Sequence, residues 1–243
     1  FMEDKCGIFV ENVTKVFGEQ DALKNVSAKF GMGKIYGIVG RNGSGKTVLL
    51  KCICGLLYPT AGTVTVNGRI VGKDVDYPEN IGFIIETPGF LPRYSGLKNL
   101  KYLASIRGRV QEGEIRKYMG LAGLNPDDKK RVGNYSLGMR QRLGIAQALM
   151  ENPDILILDE PMNALDSNGV EDIRMVTLVI TSASREALQA SQIPCSLFRF
   201  HCGTTYHHVL LYITRYLLDP PAPPRSHSLY RQKTAGQRMV VRL

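Results

Sequence analysis

A chain of 243 residues, 44% hydrophobic and 22% charged, is long enough to bury a sizeable core and too apolar for a disordered protein. Its net charge of +9 is uneven: residues 1–174 hold 23 basic and 20 acidic side chains, a net +3, while residues 175–243 hold 8 and 2, a net +6. A basic excess can point to nucleic acid or anionic lipid, but here it belongs mostly to the last third.

The N-terminus, FMEDKCGIFVENV, carries acids where a secretion signal needs a basic segment and a long apolar run, and Phe1 before Met2 reads as a cloning remnant. Ile8 to Val13, Lys24 to Phe30 and Lys34 to Val39 are short β-rich stretches set apart by turn formers. A glycine-rich loop follows, then Lys46 to Leu57, an apolar run suited to a buried helix. Cys52 and Cys54 lie two apart on that helix and are expected on different faces. With Cys6, Cys195 and Cys202 they show no zinc or disulfide spacing, so all five read as idle thiols.

Gly62 to Val71, with Asn67-Gly68 at its middle, predicts a hairpin, and Asn80 to Glu86 another strand. Leu97 to Arg107, Glu112 to Ala122 and Leu137 to Met150 have helical spacing. In the last, Leu143, Ile145, Ala146 and Leu149 supply a core face. Asp154 to Asp159 is a strand apolar through its middle, as expected for one covered on both faces.

Past Arg174 the vocabulary changes. Basic residues shift from 13 Lys and 10 Arg to 1 Lys and 7 Arg, and all four histidines (His201, His207, His208, His227) and the cluster Pro220, Pro221, Pro223, Pro224 fall here. Helix periodicity is absent. Val209 to Leu218, interrupted by Arg215, falls short of the roughly 18 apolar residues that cross a bilayer, so any membrane spanning belongs to another chain. A foreign or frame-shifted origin for residues 175–243 explains the change better than an ordinary second domain does.

Two motifs carry chemistry. Gly40-Arg41-Asn42-Gly43-Ser44-Gly45-Lys46-Thr47 matches G-x-x-x-x-G-K-[ST] between a predicted strand and helix. Its glycines let backbone amides converge on a phosphate, Lys46 reaches the β- and γ-phosphates, and the Thr47 hydroxyl can ligate Mg²⁺. The apolar strand Ile155-Leu156-Ile157-Leu158 ends in Asp159-Glu160-Pro161. Two carboxylates there are costly unless they serve a cation or chemistry, so Asp159 is assigned to the Mg²⁺ shell and Glu160 to the attacking water.

Between them, Asn134-Tyr135-Ser136-Leu137-Gly138-Met139-Arg140-Gln141-Arg142 resembles the signature of ABC ATPases, LSGGQ followed by a basic helix. Ser136 and Gly138 stand where that family places its serine and a glycine; Leu137 and Met139 depart from it. Asn163-Ala164-Leu165-Asp166 is similar to the family's D-loop, with Asp166 coupling two sites. Phe17, in Lys15-Val16-Phe17-Gly18, stands where an aromatic stacks on adenine; alternatively it is a core phenylalanine. Glu86, in Ile84-Ile85-Glu86-Thr87-Pro88-Gly89-Phe90, takes the place of a glutamine that touches Mg²⁺ and the membrane partner. That glutamate and the Tyr135–Met139 variant resemble the bacitracin-resistance and lantibiotic-immunity branch.

The resemblance implies an α/β P-loop NTPase of ABC type with an N-terminal antiparallel β region, a parallel-rich core and a helical insert at about residues 87–150. It also implies ATP and Mg²⁺ as cofactors, closure of a homodimer or heterodimer of ATPase subunits on ATP, and a transmembrane permease subunit as partner. The chain would then lie in the cytoplasm against the inner face of the cell membrane, with no nucleic acid bound. The expected boundaries are an ATPase domain over 1–174 and an atypical segment over 175–243.

The family also carries a histidine after the D-loop, at the end of one further strand. Thr177 to Ser182 looks like that strand, but Ala183 follows it, only 17 residues past Asp166, and His201 is the one substitute. The pair His207-His208, without Cys or acidic neighbours in sequence, reads as a surface or core feature. Export of a peptide antibiotic or lantibiotic driven by ATP is the leading expectation. With the histidine after the D-loop missing, this chain is expected to bind Mg·ATP but to hydrolyse it poorly; the alternatives are a soluble ABC-type ATPase acting on ribosome or DNA, and an ATP-sensing module with little turnover.

Overall fold

Turn-forming asparagines and glycines, spaced among alternating apolar residues, send the first part of the chain into an antiparallel sheet. The computed structural model describes residues 6–86, 88–159, 207–213 and 239–242. Its elements in chain order are β1 (Gly7–Phe17), β2 (Gln20–Gly31), β3 (Lys34–Gly40), α1 (Lys46–Ile53), β4 (Ala61–Val66), β5 (Arg69–Ile70), β6 (Ile81–Ile84), α2 (Gly96–Arg107), α3 (Glu112–Leu121), α4 (Leu137–Leu149), β7 (Ile155–Asp159), β8 (His207–Ile213) and β9 (Met239–Arg242).

The first sheet has the order β2-β1-β4-β5, every neighbour antiparallel. Asn67 (φ 48°) and Gly68 (φ 80°) both adopt the left-handed conformation that a tight β4–β5 turn requires. Ile8, Val10, Val13, Leu23, Phe30, Val64 and Val66 point from this sheet into one core cluster.

The second sheet has the order β6-β7-β8-β3-β9. β6 and β7 run parallel, as do β3 and β9, but β8 is antiparallel to both β7 and β3. The core is therefore mixed rather than parallel-rich. The parallel-rich core implied by the resemblance does not account for a strand that returns antiparallel from the last third of the chain. The strand expected at 177–182 lies outside the described residues.

β7 is buried from end to end. Ile155 and Ile157 join the cluster with α1 and the first sheet; Leu156 and Leu158 join a second cluster with α2, α3 and α4. One strand thus anchors both halves of the core, each buried aliphatic side chain contributing roughly 1.5–3 kcal/mol. On α4, Leu143, Ile145, Ala146 and Leu149 are all buried, the face read from the sequence.

α1 stops at Ile53, short of the expected Leu57. Gly55 (φ 77°) takes the left-handed position after the cap, its amide donates to the Cys52 carbonyl at 3.3 Å, and the Leu56 amide donates to Lys51 at 2.9 Å. Leu57 still packs on the same core, so the apolar pattern outlasts the helix. Cys52 and Cys54 are both buried in that cluster, Cys54 as the cap residue at the helix end. Burial pushes both thiols up in pKa, which keeps them protonated and unreactive near neutrality.

Asn99, on α2, is a buried polar side chain that fixes the chain entering the helical region. Its Oδ1 accepts from the Leu91 amide at 2.8 Å, and its Nδ2 donates to the carbonyls of Leu91 at 3.1 Å and Ser95 at 3.0 Å. Asn99→Ala leaves the Leu91 amide without a partner, while the Leu91 and Ser95 carbonyls keep the bonds from the Tyr94 and Asn99 amides, and the expected loss is about 1–2 kcal/mol. A urea unfolding curve checks it: the midpoint falls while the slope is unchanged.

Candidate functional site

β3 delivers the chain to a buried Gly40, and the loop 41–45 turns it into α1. The Ser44 amide donates to the Arg41 carbonyl at 3.1 Å, closing the turn. Gly45, the N-cap of α1, has φ 87°. A Cβ there would run into the Ala22 carbonyl oxygen and lie 2.7 Å from Leu23 Cδ2, so only glycine fits against β2. Gly43 (φ 76°) has open space beside it, while Arg41 and Asn42 are exposed.

Lys46 is only 5% exposed. Its ammonium donates to the carbonyls of Gly40 and Arg41, both at 3.0 Å. A buried full charge held by neutral oxygens at a helix N-terminus is a place for an anion. Ser44 Oγ, also buried, has no hydrogen-bond partner among the described residues. These groups fit a polyphosphate.

One residue further, Thr47 Oγ1 donates to Asp159 Oδ2 at 2.7 Å, across 112 positions of sequence. The hydrogen bond joins the start of α1 to the end of β7, and Asp159 is 7% exposed. A hydroxyl and a carboxylate at hydrogen-bond distance beside a phosphate loop are the donor set of a hard divalent cation, so the residues present fit Mg²⁺.

Glu86 follows β6 and is exposed. Its φ of 64° is left-handed, a conformation that costs a residue with a Cβ about 1–2 kcal/mol. Its Oε1 accepts from Lys51 Nζ at 2.6 Å. Lys51 lies four residues after Thr47 on α1, so the two share a helix face. Two residues beyond Glu86, Pro88 packs against α4 at Gly144, where a Cβ would come within 2.6 Å of Pro88 Cγ. The Glu86 loop is thereby pressed onto the helix that Ser136 begins.

Ser136 is the N-cap of α4 and accepts from the Met139 amide at 3.2 Å. Leu137 beside it is 42% exposed, and Gly138 is partly buried in the first turn. Phe17 ends β1 with 47% of its surface exposed, which rejects the core reading. Lys15 Nζ stands 5.2 Å from its ring centroid. Phe17 pairs in register with Gln20, two residues before the Ala22 carbonyl that abuts Gly45, so it sits on the hairpin end nearest the phosphate loop.

Glu160, Asp166, Ala183 and His201 lie outside the described residues. Backbone register puts His207 opposite Gly40 and His208 opposite Val39, at the end of β3 that enters the loop. Sequence spacing gave no sign of that placement. Lys51 is the residue that sequence reading passed over, and its spacing of four from Thr47 is the signal that would have found it.

Comparison with known proteins agrees with this geometry. The ABC transporter family matches residues 23–163. An uncharacterized ABC transporter ATP-binding protein, YybJ of Bacillus subtilis, is 43% identical over 188 residues, 74% of this chain and 86% of its own. The bacitracin transport ATP-binding protein BcrA of Enterococcus faecalis is 44% identical over 174 residues. That is 69% of this chain but 54% of BcrA, so the chain spans about half of that relative. The lantibiotic transport ATP-binding protein SrtF of Streptococcus pyogenes is 36% identical over 185 residues, 76% of this chain and 79% of its own.

Among solved structures, the dimeric bacterial ABC transporter cassette MJ0796 superposes with a TM-score of 0.62 at 29% identity, covering 70% of this chain and 81% of that one. The same cassette, dimeric in a post-hydrolysis state with ADP and Pi, gives 0.61 at 28% identity, with 70% and 81% covered. With the family match covering more than half of the chain and YybJ 43% identical over 74% of it, the chain belongs to the ABC transporter family, as an ATP-binding cassette.

Proposed function

We propose that this chain binds Mg·ATP, hydrolyses it and drives export of a peptide antibiotic or lantibiotic through a separate transmembrane permease. The observation that carries the reading is the 2.7 Å hydrogen bond from Thr47 to Asp159, which makes one site of two distant motifs. The names of BcrA and SrtF support the cargo class.

In this reading Lys46, Ser44 and the amides of residues 40–47 hold the phosphates, and Phe17 stacks on the adenine. Thr47, Asp159 and Glu86 hold the magnesium ion, which supplies charge neutralisation on the phosphates. Glu160 polarises the attacking water. Ser136 and Gly138 of one copy meet the nucleotide held by the other, and Asp166 couples the two sites, in a homodimer or heterodimer of such subunits. The dimeric MJ0796 cassette supports that arrangement. The permease places the chain at the inner face of the cell membrane, and nucleic acid has no part. The ATPase domain is assigned to residues 1–174.

A second reading, an ATP sensor with little turnover, rests on the missing histidine: the strand-like Thr177–Ser182 is followed by Ala183, only 17 residues past Asp166, where the family's helix and strand call for a histidine about 25 residues past it.

Two measurements decide between them. ATP binding by the purified chain is expected to weaken more than about tenfold in Lys46→Ala, since a charge-assisted contact in a buried site is lost; equal binding by the variant rejects the phosphate assignment. Steady-state hydrolysis, slow in the parent chain for want of the histidine, is expected to be abolished in Glu160→Gln with ATP binding retained. A parent chain that binds but does not turn over establishes the sensor instead.

A further inference from the structure

A glutamate beside a triphosphate site is an electrostatic problem, because it adds a negative charge where several are to be bound. Glu86 is such a residue, and its carboxylate has a specific partner. Lys51 Nζ lies 2.6 Å from Glu86 Oε1, and Lys51 sits on α1, four residues or about 6 Å of helix rise past Thr47. Thr47 is itself bound to Asp159. One face of one helix thus meets both acidic groups of the site: Asp159 through a hydroxyl, Glu86 through an ammonium.

We propose that Lys51 is the counter-charge of Glu86, a positioning residue that lets a glutamate stand next to bound triphosphate. Three observations converge on it. The Lys51 side chain is 29% exposed against 65% for Glu86, so the cation is the better-fixed partner and the carboxylate comes to it. Glu86 holds a left-handed backbone, so its position is imposed and not one the residue would choose. Lys51 is the last-turn basic residue of α1, whose carbonyl end favours a cation, so the ammonium has a second reason to stay. Among the described residues Lys51 meets only Oε1 of Glu86, which leaves Oε2 to the metal of the proposed site.

The inference rests on the reading of the site as a triphosphate site, and the test separates the two. ATP binding to the full chain is measured in EDTA, where no metal masks the charges, at low and high salt. Lys51→Met is expected to weaken binding about fivefold at low salt and much less at high salt, as an unmasked carboxylate repels the phosphates. Lys51→Arg is expected to bind as the parent does, and adding Glu86→Gln to Lys51→Met is expected to restore parental affinity.

Thermal unfolding of each variant excludes a folding defect as the cause. A parent chain that fails to bind ATP sinks the site itself. A parent that binds, with Lys51→Met unchanged or with its loss not rescued by Glu86→Gln, overturns the counter-charge and leaves the site standing.

Discussion

The hydrogen bond from Thr47 to Asp159 is the constraint on which the rest of the structure depends. It ties the first turn of α1 to the last residue of β7, elements 112 positions apart in sequence, and so fixes the phosphate loop relative to the acidic strand end. The surroundings are arranged to protect it. Asp159 is buried, so water does not compete for its carboxylate, and the strand that carries it is packed on both faces. β8 pairs with β7 on one side and β3 on the other, so the two strands that deliver the site are joined through a third. The sheet supplies the alignment, and the hydrogen bond reports that it is correct.

The Glu86 segment shows the opposite economy, with strain and weak contacts in near balance. A left-handed glutamate costs about 1–2 kcal/mol, while a partly exposed ion pair returns at most about 1 kcal/mol. Lys51 alone therefore does not hold the loop. The remaining restraint is steric: Pro88 sits in the space that Gly144 leaves on α4, and proline fixes its own φ. The segment is bound at one end to the helix of the phosphate loop and at the other to the helix of the serine turn. The position of the segment is therefore tied to both helices, through one ion pair and one packing contact.

Legibility from sequence followed the range of the interaction. The Asn67-Gly68 turn, the buried face of α4 and the doubly covered β7 were all readable, because each is dictated by residues within one element. The phosphate loop was readable because its glycines and lysine have few other uses together. The end of α1 was misplaced since apolar spacing persists past Gly55, and the stop is a matter of backbone conformation. The direction and place of β8 were not legible at all: strand pairing across such a separation leaves no local trace. The partner of Glu86 lay in between, a helical spacing from Thr47 that gains meaning only once the β6 exit is known to approach α1.

Ser136 shows why a structural role and a functional one need not compete. As the N-cap of α4 it accepts from the Met139 amide, which uses one lone pair of its hydroxyl. The hydroxyl proton is not consumed by that bond, and capping restrains the side chain in the orientation it has. The residue is exposed, next to an exposed Leu137, so the donor stands at a surface and not in the core. The cap stabilises the helix by about 1 kcal/mol, and the same hydrogen bond pre-orients a donor and the first amides of α4 toward solvent. In the proposed dimer the exposed Ser136 and Leu137 would meet the second copy, and the cap and that contact would draw on different atoms of the same hydroxyl.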